Sequence, residues 1–274
     1  MRNTFSKSIT DIIKDRHSVR TYENKPLSEE VLNKVKLYLN EINNSQGVFG
    51  SKVRINLVEK NDGNKEAKLG TYGVIKGANY YLVASYDKNC EKGLYDLGYL
   101  LEKVVLYCTD LGLGTVWLGG TFNKGNFATS INLGENELLP IVCPFGIEAN
   151  KKSFIAKMLS GNSNKRKNFD TLFFKDNFDS PMSYEEAKEY KEVLENVRLA
   201  PSALNKQPWR IVKENNNLHI YNEGKIEMSK VDLGIALCHL KLSAEEKGLD
   251  GKFEVIDNKK SDKFEYVISW IGAN

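Results

Sequence analysis

The sequence is poor in the residues that build disulfide frameworks and metal sites. Its 274 residues include only four cysteines and three histidines. The cysteines at positions 90, 108, 143 and 238 lie far apart, without the paired spacing of a disulfide framework or a zinc site. The histidines share no metal-ligand spacing. We therefore predict neither kind of site, and we expect Cys108, Cys143 and Cys238, which have apolar neighbours, to be small core residues.

Long apolar runs and an excess of one charge are also missing. The longest apolar segments, such as residues 80–84 and 104–108, are too short to span a bilayer, and residues 1–10 do not resemble a signal peptide. The net charge is +3, from 39 basic and 36 acidic residues, which argues against non-specific nucleic-acid binding. With 41% hydrophobic and 27% charged residues, the composition is that of a globular protein with a sizeable core. We expect a cytoplasmic protein.

Several common catalytic signatures are absent. The chain has no Gly-x-Ser-x-Gly elbow, no cysteine with a convincing histidine partner and no Gly-x-Gly-x-x-Gly after a strand. Residues 69–78 contain three glycines and Lys76, but the glycine spacing is not that of a Walker A loop. Serine hydrolases, P-loop enzymes and Rossmann dehydrogenases are therefore disfavoured.

What the chain does contain is a set of segments that match each other in order. Residues 28–39 match 183–197, residues 53–55 match 209–211, and an Asp-Leu-Gly at 96–98 recurs at 232–234. Residues 141–146 then match 267–272. Because the matches keep one order, we predict a diverged repeat, with a first copy in residues 1–160 and a shortened second copy in residues 161–274. The alternative is two unrelated α+β domains.

Both copies predict the same elements. Apolar residues recur at helical spacing along residues 95–111 and 231–247, and a glycine follows each segment. Strands are predicted at residues 53–59, 78–85, 139–143, 210–214, 218–221 and 264–270. Residues 160–178 join the copies, and we expect the first, polar part of this joint to be exposed.

A run of hydrogen-bond donors, Arg-His-Ser-Val-Arg, occupies residues 16–20. In an extended segment, Arg16, Ser18 and Arg20 point to one side. They then offer two guanidinium groups and a hydroxyl to a phosphate or to the carbonyl oxygens of a heterocycle. The alternative is a solvated basic strand.

A second polar turn occupies residues 200–209, Ala-Pro-Ser-Ala-Leu-Asn-Lys-Gln-Pro-Trp. Its prolines restrict the backbone, and Ser202 and Asn205 supply short groups that can bond backbone or ligand. The alternative is an ordinary loop after a helix. We expect Trp209 to be structural, because it begins a strand.

Two further segments could contact a flat, anionic ligand. Gly119 and Gly120 allow close approach of the backbone, and Lys151 and Lys152 follow the end of a predicted strand. An ordinary glycine-rich loop and a solvated lysine pair are the alternatives.

Taken together, these segments resemble the FMN-dependent nitroreductase superfamily, and in particular its fused-repeat branch, over nearly the whole chain. The Pro-Ser-x-x-Asn-x-Gln-Pro-Trp turn at residues 201–209 is its most specific motif. The resemblance implies an α+β, nitroreductase-like fold in which two diverged repeats form an intramolecular pseudo-dimer. It also implies an oxidoreductase that passes hydride from NAD(P)H through FMN to a small acceptor such as a nitroaromatic or a quinone.

The resemblance further implies which residues contact FMN. Lys76 would reach the pyrimidine edge, the backbone at Gly119 and Gly120 would face N5, and Lys151 or Lys152 would hold the phosphate. The full set is Arg16, His17, Ser18, Arg20, Lys76, Leu118, Gly119, Gly120, Lys151, Lys152, Pro201, Ser202, Ala203 and Asn205. No amino acid is expected to act as a catalytic acid or base.

Each copy lacks the motif that the other retains. Residues 173–180 stand where a second Arg-x-Ser-x-Arg segment would be, and residues 43–49 replace a first Pro-Ser-Ala-x-Asn turn. We therefore expect one FMN per chain, between the repeats, in a monomer. A flavin-binding protein without turnover, or another flavin reaction such as reductive dehalogenation, is the alternative.

Overall fold

Two β-sheets and a central pair of long helices make up the fold. The computed structural model describes residues 4–60, 69–151, 153 and 165–273, so Lys152 lies outside the described residues. The front sheet consists of Val53–Glu59 (β1), Tyr80–Asp87 (β2), Gly114–Thr115 (β3) and Glu137–Gly146 (β4). The rear sheet consists of Phe173–Lys175 (β5), Trp209–Glu214 (β6), Asn217–Asn222 (β7), Gly251–Glu254 (β8) and Glu265–Gly272 (β9).

The described part of the chain contains seven α-helices. They are Ile9–Asp15 (α1), Glu29–Asn43 (α2), Gly93–Asp110 (α3), Lys124–Ser130 (α4), Phe169–Leu172 (α5), Lys191–Arg198 (α6) and Met228–Glu246 (α7). Short 3₁₀ turns occupy Glu185–Tyr190 and Ala203–Asn205. Helix α2 shows why such a segment is helical: Ser28 caps its N-terminus by accepting from the Val31 amide at 3.3 Å, and Val35, Leu39 and Ile42 form one buried face.

Both sheets follow one plan. The strand order is β1-β2-β4-β3 in the front sheet and β6-β7-β9-β8 in the corresponding part of the rear sheet, with every neighbouring pair antiparallel. In each sheet a long helix, α3 or α7, follows the second strand of this order. This common plan supports the predicted repeat over two unrelated domains. Strand β5 has no front counterpart and pairs with β6 in parallel.

The predicted elements are found, with shifted ends. The helices predicted at 95–111 and 231–247 correspond to α3 and α7, and the six predicted strands correspond to β1, β2, β4, β6, β7 and β9. The short strands β3, β5 and β8 were not predicted. The predicted boundary between residues 160 and 161 falls outside the described residues.

Helices α3 and α7 lie back to back between the sheets. A Cβ atom on Gly98 of α3 would overlap the carbonyl oxygen of Val231 on α7, and a Cβ on Gly234 of α7 would overlap that of Tyr95 on α3. The contact is thus reciprocal, as at a two-fold interface, where each side presents the same patch. We call this α3–α7 contact the seam.

The main core runs through the seam. One cluster of buried apolar residues includes members of both sheets and both long helices, and Cys108, Cys143 and Cys238 are fully buried, as expected. Among the described residues, no helix has both the length and the apolar character needed to cross a membrane.

Candidate functional site

A cavity of about 770 Å³ opens between the segment after α1 and the turn after α6. Its front wall includes Arg16, Ser18 and Arg20, and its rear wall includes Ser202 and Asn205. A smaller cavity of about 310 Å³ shares four of these lining residues, namely Ser18, Arg20, Ser202 and Leu204. We call the two cavities together the slot. The two motifs that lie far apart in sequence therefore face each other across one space.

The front wall, residues 16–20, is an extended segment that is held by backbone hydrogen bonds to two neighbouring segments. The Val19 amide donates to the Thr115 carbonyl at 2.9 Å, and the Lys76 amide donates to the Arg20 carbonyl at 3.0 Å. Val19 is buried in the core while Ser18 and Arg20 line the slot. The alternation expected of an extended chain is thus observed.

The rear wall is a tight turn with unusual backbone geometry. Leu204, Asn205 and Gln207 all have φ values near +50°, the left-handed region that non-glycine residues seldom adopt. The Ser202 Oγ accepts from the Gln207 amide at 2.9 Å and helps to hold this shape. Trp209 is fully buried at the start of β6 and is therefore structural, as predicted.

Positive charge is concentrated in the larger cavity. Arg16 is 8% exposed, and Arg20 and Arg166 are half-buried beside it. Burial lowers the pKa of Arg16 and Arg20, and burial together with the charge of Arg16 lowers the pKa of Arg166 to about 10. All three still carry a positive charge at neutral pH.

Two of these guanidinium groups have unused donors. Within the described part of the chain, the buried Nε of Arg16 and the buried Nη1 of Arg20 have no hydrogen-bond partner. A buried cationic donor without a partner is costly, and an anion in the adjoining cavity would offset the positive charge of both groups. The larger cavity is therefore suited to a phosphate or a carboxylate.

Arg166 was not identified from the sequence. It lies in the polar joint that we expected to be exposed, and this expectation is wrong for Arg166. Its Nη1 donates to Asn205 Oδ1 at 3.0 Å and its Nη2 to the Leu199 carbonyl at 3.1 Å, so it braces the rear turn. Its only sequence signal is the basic run at 165–167, which does not distinguish it from its neighbours.

The smaller cavity has a different character. Most of its lining is apolar: Val74, Val116, Leu118, Ile141, Met228, Val231 and Ile235. Gly119 borders it, and a Cβ there would come within 3.2 Å of the Met228 methyl group, so glycine leaves room for a flat ligand. Asp232 also lines it and accepts from the Ala203 amide at 2.9 Å through Oδ1, while burial raises the pKa of this carboxyl to about 7.

The structure brings together most, but not all, of the expected contact residues. Those that line the slot are Arg16, His17, Ser18, Arg20, Leu118, Gly119, Pro201, Ser202, Ala203 and Asn205. Gly120, Lys76 and Lys151 are exposed and do not line it. The backbone of Lys76 pairs with the front wall, but its side chain points elsewhere on the surface.

A series of hydrogen-bonded polar groups extends from the smaller cavity into the core. Trp117, which lines the smaller cavity, donates from Nε1 to Glu102 Oε2 at 3.1 Å. Glu102 Oε1 lies 2.9 Å from His239 Nε2, and His239 Nδ1 lies 2.9 Å from the Asn196 carbonyl. Glu102 and His239 are fully buried, on α3 and α7.

The hydrogen bonds of His239 define one side of its ring. The Asn196 carbonyl can only accept, so His239 Nδ1 donates to it, while Nε2 faces Glu102 Oε1. The charge of Glu102 raises the pKa of Arg16 and so partly offsets the lowering of that pKa by burial.

Comparisons with known proteins identify the family of the chain. A family model described as "Putative TM nitroreductase" matches residues 8–244. The chain is similar to a crystal structure of a "putative nitroreductase" from Thermotoga maritima MSB8, with 24% identity, 97% of this chain and 94% of that chain covered, and a TM-score of 0.61. A search of the curated proteins finds no match.

Shorter chains match about half of this one. They include a nitroreductase family protein from Clostridium difficile 630, with 21% identity, 54% of this chain and 88% of that chain covered, and a TM-score of 0.42. An iodotyrosine deiodinase bound to FMN and 3-iodo-L-tyrosine matches with 16% identity, 53% of this chain and 92% of that chain covered, and a TM-score of 0.41. On the family match, which spans most of the sequence, the chain belongs to the nitroreductase family described as "Putative TM nitroreductase".

Proposed function

We propose that this chain is an FMN-dependent oxidoreductase that transfers hydride from NAD(P)H to a small acceptor such as a nitroaromatic or a quinone. FMN joins a phosphate to a flat, largely apolar ring, and the slot joins a cationic cavity to an apolar one. The observation that carries the proposal is the pair of buried, unsatisfied donors on Arg16 and Arg20 beside a cavity of the right character. FMN, when bound, accepts hydride from the nicotinamide and passes reducing equivalents to the acceptor.

The cationic end would hold the phosphate and the polar chain of the cofactor. Arg16, Arg20 and Arg166 supply charged donors, and Ser18, Ser202 and Asn205 supply short polar groups around them. His17 and Pro201 complete the lining. Lys76, Gly120 and Lys151 do not line the slot, so the proposal assigns them no contact.

The apolar end would hold the ring and exclude water from it. Leu118, Gly119 and Ala203 form part of its wall, and the adjacent guanidinium of Arg20 lies where it can stabilise negative charge on the reduced cofactor. The hydroxyl and amide groups of the walls orient the ligand. This cycle requires no amino acid as a general base, so we assign none.

We further propose one FMN per chain. The front-half loop that corresponds to the rear turn is closed by its own contacts: Asp96 accepts from the Phe49 amide at 2.8 Å and from the Ser51 amide at 2.7 Å. Phe49 also packs on the ring of Tyr95, with centroids 5.3 Å apart. Residues 43–49 also lack the Pro-Ser-x-x-Asn sequence that builds the rear wall, so the front half offers no second wall of that kind.

The experiment is reconstitution of the purified protein with FMN, followed by anaerobic titration with NADH and with NADPH. We expect a flavin absorption band, one FMN per chain and bleaching of the band by a nicotinamide, with reoxidation by a quinone or a nitroaromatic. Protein that cannot be loaded with FMN contradicts the whole proposal. Protein that binds FMN but is not reduced by either nicotinamide is a flavin-binding protein without turnover.

A further inference from the structure

Asp96 and Asp232 occupy matching places in the two halves but have different surroundings. Each begins an Asp-Leu-Gly segment, on α3 or α7, and each accepts a hydrogen bond from the backbone of a nearby loop. Asp96 uses both oxygens: Oδ1 accepts from Phe49 and Oδ2 from Ser51. Asp232 uses only Oδ1, for the Ala203 amide, and no other described residue donates to Oδ2.

The second carboxyl oxygen of Asp232, Oδ2, is therefore left to interact with whatever fills the slot. Asp232 lines the smaller cavity and is 6% exposed. Most residues that line this cavity are apolar, and none of the described residues donates to Oδ2 in place of the water that an ionised carboxylate binds. A ring whose apolar part covers Asp232 removes that water, and an ionised Oδ2 would then be buried without compensation.

The charged groups near Asp232 do not remove the cost of burying its ionised form. Lys206, on the exposed side of the rear turn, lowers the pKa of Asp232, as does the Ala203 amide, but burial outweighs both. Arg20 also lines this cavity, but it is not among the groups that shift the pKa of Asp232. On α3, which packs against α7, Asp96 already has both oxygens bonded.

We propose that Asp232 takes up one proton from solvent when the ring of the cofactor fills the smaller cavity, so that cofactor affinity is linked to pH. The proton binds Oδ2, and no other bond is made or broken. The inference rests on the proposed function, because it assigns a property to the same slot. Asp232 is then a binding residue, and its neutral form is the one that is compatible with a bound cofactor.

The direction of the effect follows from linkage. At a pH where Asp232 is already protonated in the free protein, FMN binds with no further proton uptake. Above that pH the free carboxyl is ionised and must be protonated on binding, so the affinity falls by up to about tenfold per pH unit.

The test compares the wild type with Asp232→Asn, which imitates the neutral acid. Asparagine keeps an oxygen for the Ala203 amide and places an amide where the protonated oxygen would be. FMN dissociation constants are measured by flavin fluorescence from pH 6 to pH 9. The phosphate of FMN titrates equally in both proteins, so the ratio of the two constants isolates Asp232.

We expect similar affinities at pH 6 and at least about tenfold weaker binding by the wild type than by Asp232→Asn at pH 8.5. Calorimetry in two buffers of different ionisation enthalpy should show close to one proton taken up by the wild type at that pH and none by the variant. Asp96→Asn, checked for folding by circular dichroism, is the matched control and should retain the wild-type pH profile.

A ratio that does not change with pH, or equal proton uptake by the wild type and Asp232→Asn, overturns the inference while leaving the flavin site intact. Failure of both proteins to bind FMN at any pH instead overturns the proposed function, and the inference with it.

Discussion

Gly98 and Gly234 face each other's helices across the seam, and each lies directly against the backbone of the opposite partner. This reciprocal contact brings the two long helices close enough for one core to include both halves. It also sets the distance between the two walls of the slot, because the front wall rests on elements beside α3 and the rear turn contacts α7.

Gly98→Ala and Gly234→Ala should each destabilise the protein by about 1–3 kcal/mol or more, because a methyl group forces the helices apart. Urea unfolding followed by circular dichroism measures the change. Gly120→Ala is the control, since nothing lies within 4 Å of a Cβ at that position. Equal stability of Gly98→Ala and Gly120→Ala would show that the seam is looser than described.

Replacing Arg16 or Arg20 with Gln should weaken FMN binding by about tenfold to a hundredfold, since each change removes a charged donor worth about 1.5–3 kcal/mol. Riboflavin, which lacks the phosphate, should lose much less affinity in Arg16→Gln, because Arg16 lines only the larger cavity. Fluorescence titration of both ligands checks this. Arg54→Gln is the control, because Arg54 pairs with Glu137 and does not line the slot.

Arg166→Gln should also weaken FMN binding, by losing a charge in the larger cavity and the brace on Asn205. The adjacent Lys167 provides a control, because its ammonium pairs with Glu223 at the surface at 3.3 Å. The same titration should show Lys167→Gln close to wild type. A larger effect at Lys167 than at Arg166 would contradict the assignment of the rear wall.

The Glu102–His239 pair should tolerate an isosteric neutral change but not a deletion. Glu102→Gln can still accept from Trp117 and donate to His239, so its stability should stay near wild type. Glu102→Ala leaves His239 Nε2 and the Trp117 indole N–H without their partner and should cost about 3–5 kcal/mol. Thermal unfolding and Trp117 fluorescence report the two effects. The exposed pair of Glu30 and Lys34 is the control, and Glu30→Gln should leave the stability close to that of the wild type.

Acid stability should depend on Glu137. The hydrogen bond from Arg54, at 2.8 Å, is the main cause that lowers the pKa of this carboxyl to about 2. A lowered pKa in the folded state means that the stabilisation is present above the ordinary glutamate pKa and is lost as the pH falls towards 2. Glu137→Gln should therefore be less stable than wild type at pH 7, and its stability should fall less between pH 4.5 and pH 2.5. Parallel acid profiles would contradict this role.

The elements that the sequence predicted are those with a strong local signal. Helices α3 and α7 contain long apolar segments with a glycine after each, and β1 alternates apolar Val53, Ile55 and Leu57 with polar residues. The missed strands β3, β5 and β8 have only two to four residues. They form because a neighbouring strand offers unpaired backbone groups, which no local pattern reveals.

The slot was predictable where a motif fixes the local backbone. The rear turn combines two prolines with Ser202 and Asn205, and the front wall alternates as an extended chain must. Arg166, Asp232 and Glu102 were not identified, because their roles depend on partners far away in sequence. The contact predicted for Lys76 shows what a motif leaves open: its backbone pairs with the front wall and its side chain is exposed, because a backbone position does not determine where a long side chain points.

Because Arg20 and Asn205 belong to one polypeptide, the two walls of the slot cannot drift apart when the protein is diluted. A site shared between separate subunits exists only to the extent that the subunits associate, and it disappears at low concentration. Here the covalent link keeps the second wall at a high and constant effective concentration. Retention of the cofactor should thus be governed by its own affinity alone, even where the protein is scarce.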